Sequence, residues 1–264
     1  MSMQDLTLSV SIVVYDLHKE ILARCIQSLR ESIDKSPISE WSLTLIDNGD
    51  NGQALGELTG PQITLTKNPM NVGYGIAHNQ AILSTRTDFH LILNPDVLVD
   101  DLCITEAVKL LTSNEQIIMI CPEGATPDGS NAHLCKRYPS VLDLLLRGFM
   151  PRFIARMFQK RLDRYEYRDL NNAEATEVEL ISGCFMLART AHLQKIGGFD
   201  RAYFLYFEDF DLSLRMARTG KVVHLPAAKI VHYGGNSARK GAKHIWLFCK
   251  SAFRFYNQHG WKLI

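Results

Sequence analysis

The stretch Leu8–Tyr15 reads LSVSIVVY, a β-branched run of buried-strand length, and a segment of different period follows at once. From His18 to Ile33 the residues Ile21, Leu22, Cys25, Ile26, Leu29 and Ile33 fall at helical spacing. The alternation repeats downstream. Trp41–Asp47 (WSLTLID) predicts a second strand ending at the Asn48-Gly49 turn signal, and Gln62–Thr66 a short third. Tyr74–Ser84 predicts a helix, Thr87–Leu93 (TDFHLIL) a fourth strand, Asp100–Thr112 a helix and Gln116–Cys121 a fifth strand. Strands separated by helices predict an α/β fold with a mainly parallel, doubly wound central sheet flanked by helices. Ligands of such sheets bind beyond the carboxyl ends of the strands. That rule singles out Asp16, Asp47, Asn94 and Asp96.

The rest of the chain is less regular. Pro122–Ser140 is rich in turn residues and predicts a loop. Val141–Arg164 mixes apolar residues with arginines and predicts one or two amphipathic helices broken near Pro151. Glu177–Leu187 resumes strand character, and Glu208–Thr219 predicts a helix. Lys221–Leu225 and Lys229–Tyr233 predict two short strands, and Lys243–Gln258 a final basic, aromatic-rich helix. The expected organisation is one domain over residues 1–238, with a nucleotide-binding half (1–121) and an acceptor and catalytic half (122–238). Residues 239–264 are expected to form a C-terminal basic helical extension.

A chain of 264 residues with 46% hydrophobic composition can bury one sizeable core. Its net charge of +1 conceals a marked asymmetry. Lys136–Arg168 holds nine Lys and Arg against three Asp and Glu, and after Asp211 ten Lys and Arg follow with no acid. Such segments suit phosphates or an anionic membrane surface, or form ordinary solvated faces. The six cysteines are scattered, without a CxxC pair, which predicts free thiols in a reducing compartment. The N-terminus lacks a basic and apolar leader pattern, and no apolar run reaches the ~20 residues of a bilayer span.

Four constellations carry chemistry. In Leu91–Asp96 (LILNPD) an apolar strand runs into Asn-Pro-Asp; Pro95 stiffens the turn and gives Asp96 the fixed direction that a hard cation needs. The same residues also suit a plain turn. Phe204–Asp211 (FLYFEDFD) sets Glu208, Asp209 and Asp211 at a helix start. One acid suffices for a cap, so the surplus points to a general base or metal ligand, although Asp211 and Arg215 could simply pair. Lys67–Asn79 (KNPMNVGYGIAHN) places Gly73 and Gly75 before a helix, where backbone can approach an anion such as a diphosphate. Lys229–Ser237 (KIVHYGGNS) puts His232 at a strand end, a structural position or a metal ligand.

Taken in order, these pieces resemble the family 2 inverting nucleotide-sugar glycosyltransferases, which have the GT-A fold. The matching stretches are SIVVYD (Ser11–Asp16), LIDNGD (Leu45–Asp50), NPMNVGYGIAHNQAI (Asn68–Ile82), LILNPDV (Leu91–Val97), SGCFMLART (Ser182–Thr190), IGGFDRAYFLYFEDFDLSLR (Ile196–Arg215) and VHYGGNS (Val231–Ser237). The NPD form and the FLYFEDFDL block are most similar to bacterial rhamnosyltransferases of O-antigen and other surface-polysaccharide synthesis. Those enzymes add L-rhamnose from dTDP-L-rhamnose to GlcNAc on undecaprenyl diphosphate.

The resemblance implies roles residue by residue. Asp47 would hold the nucleotide base, bordered by Tyr15 and Asp16. Asn71, Gly73, Gly75 and Asn79 would line the nucleotide and diphosphate. Asp96 falls on the last acid of the family's DxD motif, a ligand of Mg²⁺ or Mn²⁺, with His232 as a further ligand. Asp209 falls on the catalytic base, supported by Glu208 and Asp211. Arg147, Arg152, Arg156, Lys160, Arg161 and Arg164 would meet a lipid-linked diphosphate sugar acceptor and an anionic membrane. The enzyme is expected in the cytoplasm, peripheral on the inner face of the bacterial plasma membrane.

Two departures stand out. The first DxD acid is Asn94, and the usual Thr-Tyr-Asn after the first strand is Val14-Tyr15-Asp16. Asn94 would ligate weakly or contact the ribose. It is also the best support for a rival reading, a non-catalytic interaction protein or a degenerate transferase that binds nucleotide sugar without turnover; a transferase using another nucleotide sugar is a further alternative. A nucleotidyltransferase needs a glycine-rich basic loop after the first strand, which VVYDLHKE lacks. A dinucleotide-dependent dehydrogenase needs glycines there too. No motif accompanies the basic tail to suggest nucleic acid.

Overall fold

The computed structural model describes residues 5–170, 173–234 and 241–264. Residues 235–237 of the VHYGGNS stretch and the side chain of Arg152 lie outside what is described. The strands are β1 (Leu6–Val14), β2 (Ile38–Asp47), β3 (Ile63–Lys67), β4 (Phe89–Leu93), β5 (Val97–Val99), β6 (Ile117–Ala125), β7 (Cys135–Lys136), β8 (Thr176–Glu177), β9 (Leu180–Ile181), β10 (Phe185–Arg189) and β11 (Lys221–His232). The helices are α1 (Lys19–Asp34), α2 (Gly52–Gly56), α3 (Tyr74–Ile82), α4 (Cys103–Ser113), α5 (Val141–Gly148), α6 (Arg152–Met157), α7 (Gln159–Tyr165), α8 (Thr190–Lys195), α9 (Glu208–Ala217) and α10 (Ala242–His259).

The main sheet runs β3-β2-β1-β4-β10-β6-β11-β5, with β8 also paired to β11. The β3-β2-β1-β4 block is parallel, as is the β6–β11 pair; β10 enters antiparallel between β4 and β6. Strand β1 is buried from Leu8 to Val14, which is why it reads as a continuous run and not as an alternation. Its two buried serines are satisfied by a polar thread through the core. Ser9 Oγ lies 2.7 Å from His90 Nδ1, and Ser11 Oγ lies 2.9 Å from His90 Nε2 and 2.7 Å from His78 Nδ1. Burial holds His90 at about 3 and His78 well below the ordinary imidazole value, so both rings stay neutral.

Three expectations change. The stretch 122–140 is not all loop: β6 continues to Ala125, and β7 pairs with β9. The two short strands after Lys221 are one strand, with a register shift between Leu225 and Lys229 where Pro226 offers no N–H. The arginine-rich segment forms three helices; a second break falls at Phe158, beyond the one at Pro151. Helix α10 packs against the rest of the domain. Leu247, Ser251, Phe255 and Tyr256 are buried, Ser251 Oγ donates to Leu205 O at 2.8 Å, and Val141 N donates to Lys262 O at 2.8 Å.

Candidate active site

Strand β4 delivers Asn94-Pro95-Asp96 to the carboxyl end of the sheet. Strand β5 then pairs with the end of β11, placing Val97 opposite His232, and Tyr233 N donates to Asp96 O at 2.9 Å. This pairing brings His232 Nε2 to 3.4 Å from Asp96 Oδ1 across 136 residues of sequence. Asp96 Oδ1 is buried without a hydrogen-bond partner. A Cβ at Gly234 would fall 2.6 Å from His232 Nε2 and 2.8 Å from Asp96 Oδ2, so glycine keeps this point clear. One carboxylate with an unsatisfied oxygen and one imidazole fit a divalent cation whose other positions come from phosphate and water. Among the described residues no three His, Cys, Asp or Glu side chains converge to hold a metal alone.

The acid cluster sits at the start of α9, after two left-handed residues, Tyr206 (φ 71°) and Phe207 (φ 64°). Such conformations cost roughly 1–2 kcal/mol each for a side chain with a Cβ. The C-terminal helix holds them in place. Phe207 packs on Phe248 and Phe255, each 5.2 Å between ring centroids, and the Tyr206 hydroxyl is 3.0 Å from His244 Nδ1. Asp209 Oδ2 accepts from Gly183 N at 3.0 Å and Oδ1 from Phe210 N at 2.9 Å. Burial raises the Asp209 carboxyl above its ordinary range, and these two N–H groups oppose the rise. Glu208 is 5% exposed with Oε2 unpartnered, and burial and the Asp209 charge push it up as well.

Asp211 takes a different part from the one expected. It is fully buried and accepts from Arg215 at 2.7 Å, Gln258 at 3.0 Å and His259 at 2.9 Å. It therefore fastens α10 to α9 and is no support to Asp209. The sequence had offered the Arg215 pair but not the contribution of α10.

Tyr74 joins the two acidic ends. Its hydroxyl lies 2.6 Å from Gly183 O and 3.0 Å from Asn94 Oδ1, donating its single proton to one of them at a time. Asn94 N also donates to Cys184 O at 2.9 Å. Burial pushes the Tyr74 phenol far up, and the charges of Glu208, Asp209 and Asp96 all act on it. Asp96 and Asp209 thus flank one tyrosine, and Asn94 is engaged by the protein in the place of the first DxD acid.

The glycine loop works differently from the expectation. A Cβ at Gly73 (φ 92°) would stand 2.4 Å from Phe204 O, and one at Gly75 would stand 2.7 Å from the Phe199 side chain. Both glycines admit this chain's own Phe199–Phe204 segment at close range. Asn79 is corrected likewise. Its side chain is buried, accepting from Phe199 N and donating to Phe199 O, both at 2.8 Å. Asn71 Oδ1 accepts from Gly73 N and from Asn48 Nδ2, each at 2.9 Å, and Asn48 also donates to Gly73 O. Asn48, read only as a turn residue, is the pin of this loop. Asp47 is fully buried and accepts from Gly49 N, Asn51 N and Asn51 Nδ2, so it shapes the loop where the base was expected. Tyr15 and Asp16 stand exposed at the end of β1.

The family model described as glycosyl transferase family 2 matches residues 9–197. The chain belongs to glycosyl transferase family 2. This family 2 enzyme is 28% identical over 239 residues to N-acetylglucosaminyl-diphospho-decaprenol L-rhamnosyltransferase of Mycobacterium tuberculosis, covering 83% of this chain and 76% of that one. It is 26% identical over 195 residues to rhamnosyltransferase WbbL of Escherichia coli (strain K12), covering 69% of this chain and 70% of that one. Among solved structures, GalNAc-T7 with UDP, GalNAc and Mn²⁺ superposes at a TM-score of 0.67 and 13% identity, over 95% of this chain and 48% of that one. Residues 1–349 of S. aureus TarS superpose at 0.58 and 13% identity, over 96% and 73%. These likenesses show the GT-A type of fold.

In the glycosyltransferase the basic residues divide. Arg161 is not free for a ligand: its guanidinium donates to Asp143 Oδ1 at 2.5 Å and Ser140 Oγ at 2.7 Å, closing the capping box of α5. Arg147 Nε lies 3.3 Å from Glu166 Oε1. Arg156, Lys160 and Arg164 are exposed.

Proposed function

We propose that this glycosyltransferase moves L-rhamnose, with inversion, from dTDP-L-rhamnose to a GlcNAc-diphospho-lipid in bacterial surface-polysaccharide synthesis. The donor and acceptor rest on the two rhamnosyltransferases to which the chain is similar. The chemistry rests on one observation: the Tyr74 hydroxyl lies within hydrogen-bond reach of Asn94, two residues before Asp96, and of Gly183, whose N–H holds Asp209. Asp96 and His232 would hold Mg²⁺ or Mn²⁺, which supplies charge stabilisation to the leaving diphosphate. Asp209 takes the proton from the acceptor hydroxyl as that oxygen attacks the anomeric carbon. Its raised affinity for protons makes it a stronger base than a solvated carboxylate. Gly183 N–H and Phe210 N–H fix its direction. Displacement on the face opposite the diphosphate inverts the centre.

The enzyme would work at the inner face of the cytoplasmic membrane. No described helix is long and apolar enough to cross a bilayer. Yet Phe149, Phe153 (68% exposed), Met157 and Phe158 on the α5–α7 segment stand out of the surface, as do Trp246 (60%), Phe253, Trp261 and Leu263 at the C-terminus. The Phe149 and Phe248 rings are 6.3 Å apart, so the two groups adjoin. Aromatic residues among Arg156, Lys160, Lys243 and Lys250 suit the headgroup region of an anionic bilayer. Co-sedimentation with anionic but not zwitterionic vesicles tests this seat. A panel of UDP-, GDP- and dTDP-sugars with prenyl-diphospho-GlcNAc, with and without EDTA, tests the reaction. Transfer from another donor in preference to dTDP-rhamnose would refute the sugar assignment.

A further inference from the structure

Lys136 is a buried cation without a carboxylate of its own. It is 6% exposed, its ammonium donates to His133 O, and it forms no ion pair among the described residues. Burial first, and then the Arg147 charge, lower it to about 8 against the opposing pull of Glu166. Glu166 is already shared by Arg147 at 3.3 Å and Arg168 at 2.9 Å. Arg168 also pairs with Asp163 at 3.2 Å, so three cations meet two carboxylates and the buried Lys136 charge is left over. Buried charges are ordinarily paired, so a surplus of this kind marks the place of an anion.

A second group points the same way. Tyr165 is 3% exposed and its hydroxyl has no partner. A buried hydroxyl without a hydrogen bond costs free energy that a ligand oxygen would relieve. Burial raises this phenol most, and the Arg147 and Asp209 charges both reach it. The backbone explains the neighbourhood. Tyr165 O accepts from Arg137 N at 2.9 Å, next to Lys136. Lys136 pairs with Leu180 across β7–β9, and three residues on, Gly183 N–H meets Asp209. Asp96, for its part, acts on Tyr74 and Cys184.

We infer that Lys136, Arg147 and Tyr165 form a diphosphate subsite beside Asp209, which receives the acceptor's diphosphate and not the donor's. The inference rests on the proposed transfer to a lipid-diphosphate sugar. Lys136 and Arg147 supply charge, and the Tyr165 hydroxyl donates to a phosphate oxygen while the sugar hydroxyl lies at Asp209. The chain then recognises its acceptor by charge as well as by sugar, and a neutral alkyl GlcNAc is a poor substitute.

The full chain tests this with Lys136→Gln, Arg147→Gln and Tyr165→Phe. Inorganic pyrophosphate in EDTA raises the melting temperature of the wild type, and Lys136→Gln abolishes the rise. With prenyl-diphospho-GlcNAc each variant raises the acceptor KM by about tenfold or more, as loss of a charge-assisted hydrogen bond does, and leaves the donor KM in place. The preference over alkyl GlcNAc falls with it. A variant set that retains the pyrophosphate response and the acceptor KM overturns the subsite. A rise confined to the donor KM assigns the anion to the donor and overturns the acceptor role. A wild type that transfers no sugar yet shows a Lys136-dependent pyrophosphate response refutes the proposed function and leaves the anion site standing. Should Lys136→Gln not fold, Tyr165→Phe, which removes one oxygen, decides between the same outcomes.

Discussion

Gly183 directs Asp209: its N–H donates to Asp209 Oδ2 over 3.0 Å, while its carbonyl accepts from the Tyr74 hydroxyl at 2.6 Å. The peptide after β9 is thus clamped between the base and the tyrosine that faces Asn94. The base is aimed by backbone and not by a second acid. Asp209→Asn can keep the bond from Gly183 N–H through its amide oxygen and loses the one from Phe210 N–H, since its NH2 cannot accept. Its expected effect is a fall in kcat of roughly 10²–10⁴-fold with an unchanged donor KM. Steady-state kinetics on the purified variant check it, and near-normal turnover would remove Asp209 from the mechanism.

His232 ends β11 and Asp96 immediately precedes β5, and the β5–β11 pairing brings the two together. His232→Ala removes one of two donors and leaves Asp96 in place. The expected outcome is retained activity at millimolar Mn²⁺ with a rise of about tenfold or more in the metal concentration for half-maximal rate, the range of a lost ligand or its support. EDTA abolishes turnover in both forms. Metal titrations that coincide for wild type and variant would show that His232 is structural.

Glu208 gives a pH test of stability. Its carboxyl is raised in the folded chain by burial and by the Asp209 charge, with Oε2 unpartnered. A raised acid binds its proton more tightly folded than unfolded. Its contribution therefore favours folding below the unfolded value of 4.5 and is lost as pH rises toward the folded value. Glu208→Gln mimics the protonated form. It should melt close to wild type at pH 4 and above wild type at pH 8, measured in EDTA. Equal melting temperatures at both pH values would contradict the buried, protonated state.

Much of this architecture was legible in the chain. The continuous run at β1 and the periodic spacing of α1 announced a covered parallel sheet, and Asp47 and Asp96 do lie at the carboxyl ends of β2 and β4. What sequence spacing does not carry is which partner a polar side chain chooses. Asn79, Gly73 and Gly75 lie in a stretch that looks built for a phosphate, yet they meet Phe199 and Phe204, more than a hundred residues on. Asp211 could be paired with Arg215 at helical spacing, but its bonds to Gln258 and His259 depend on where α10 packs. Tyr74, Asn48 and Gly183 were missed for the same reason. Each acts through backbone groups remote in sequence, and a tyrosine at a helix start carries no mark of its use.

The Asn79 correction makes its own prediction. If this amide were part of the nucleotide site, its loss would raise the donor KM and leave the fold intact. The structure gives the opposite expectation. Both amide atoms are buried on Phe199 N and O, and a Cβ at Gly198 would fall 2.2 Å from Asn79 Oδ1, so the contact is tightly enclosed. Asn79→Ala strands a buried N–H and a buried carbonyl, each costing about 1–3 kcal/mol. The variant should therefore lose about 2–4 kcal/mol in urea unfolding with an unchanged m-value, on the same scale. Below its melting range the folded fraction should keep the wild-type donor KM, because Phe199 and Gly75 still pack on each other. A raised donor KM without loss of stability would return Asn79 to the nucleotide site.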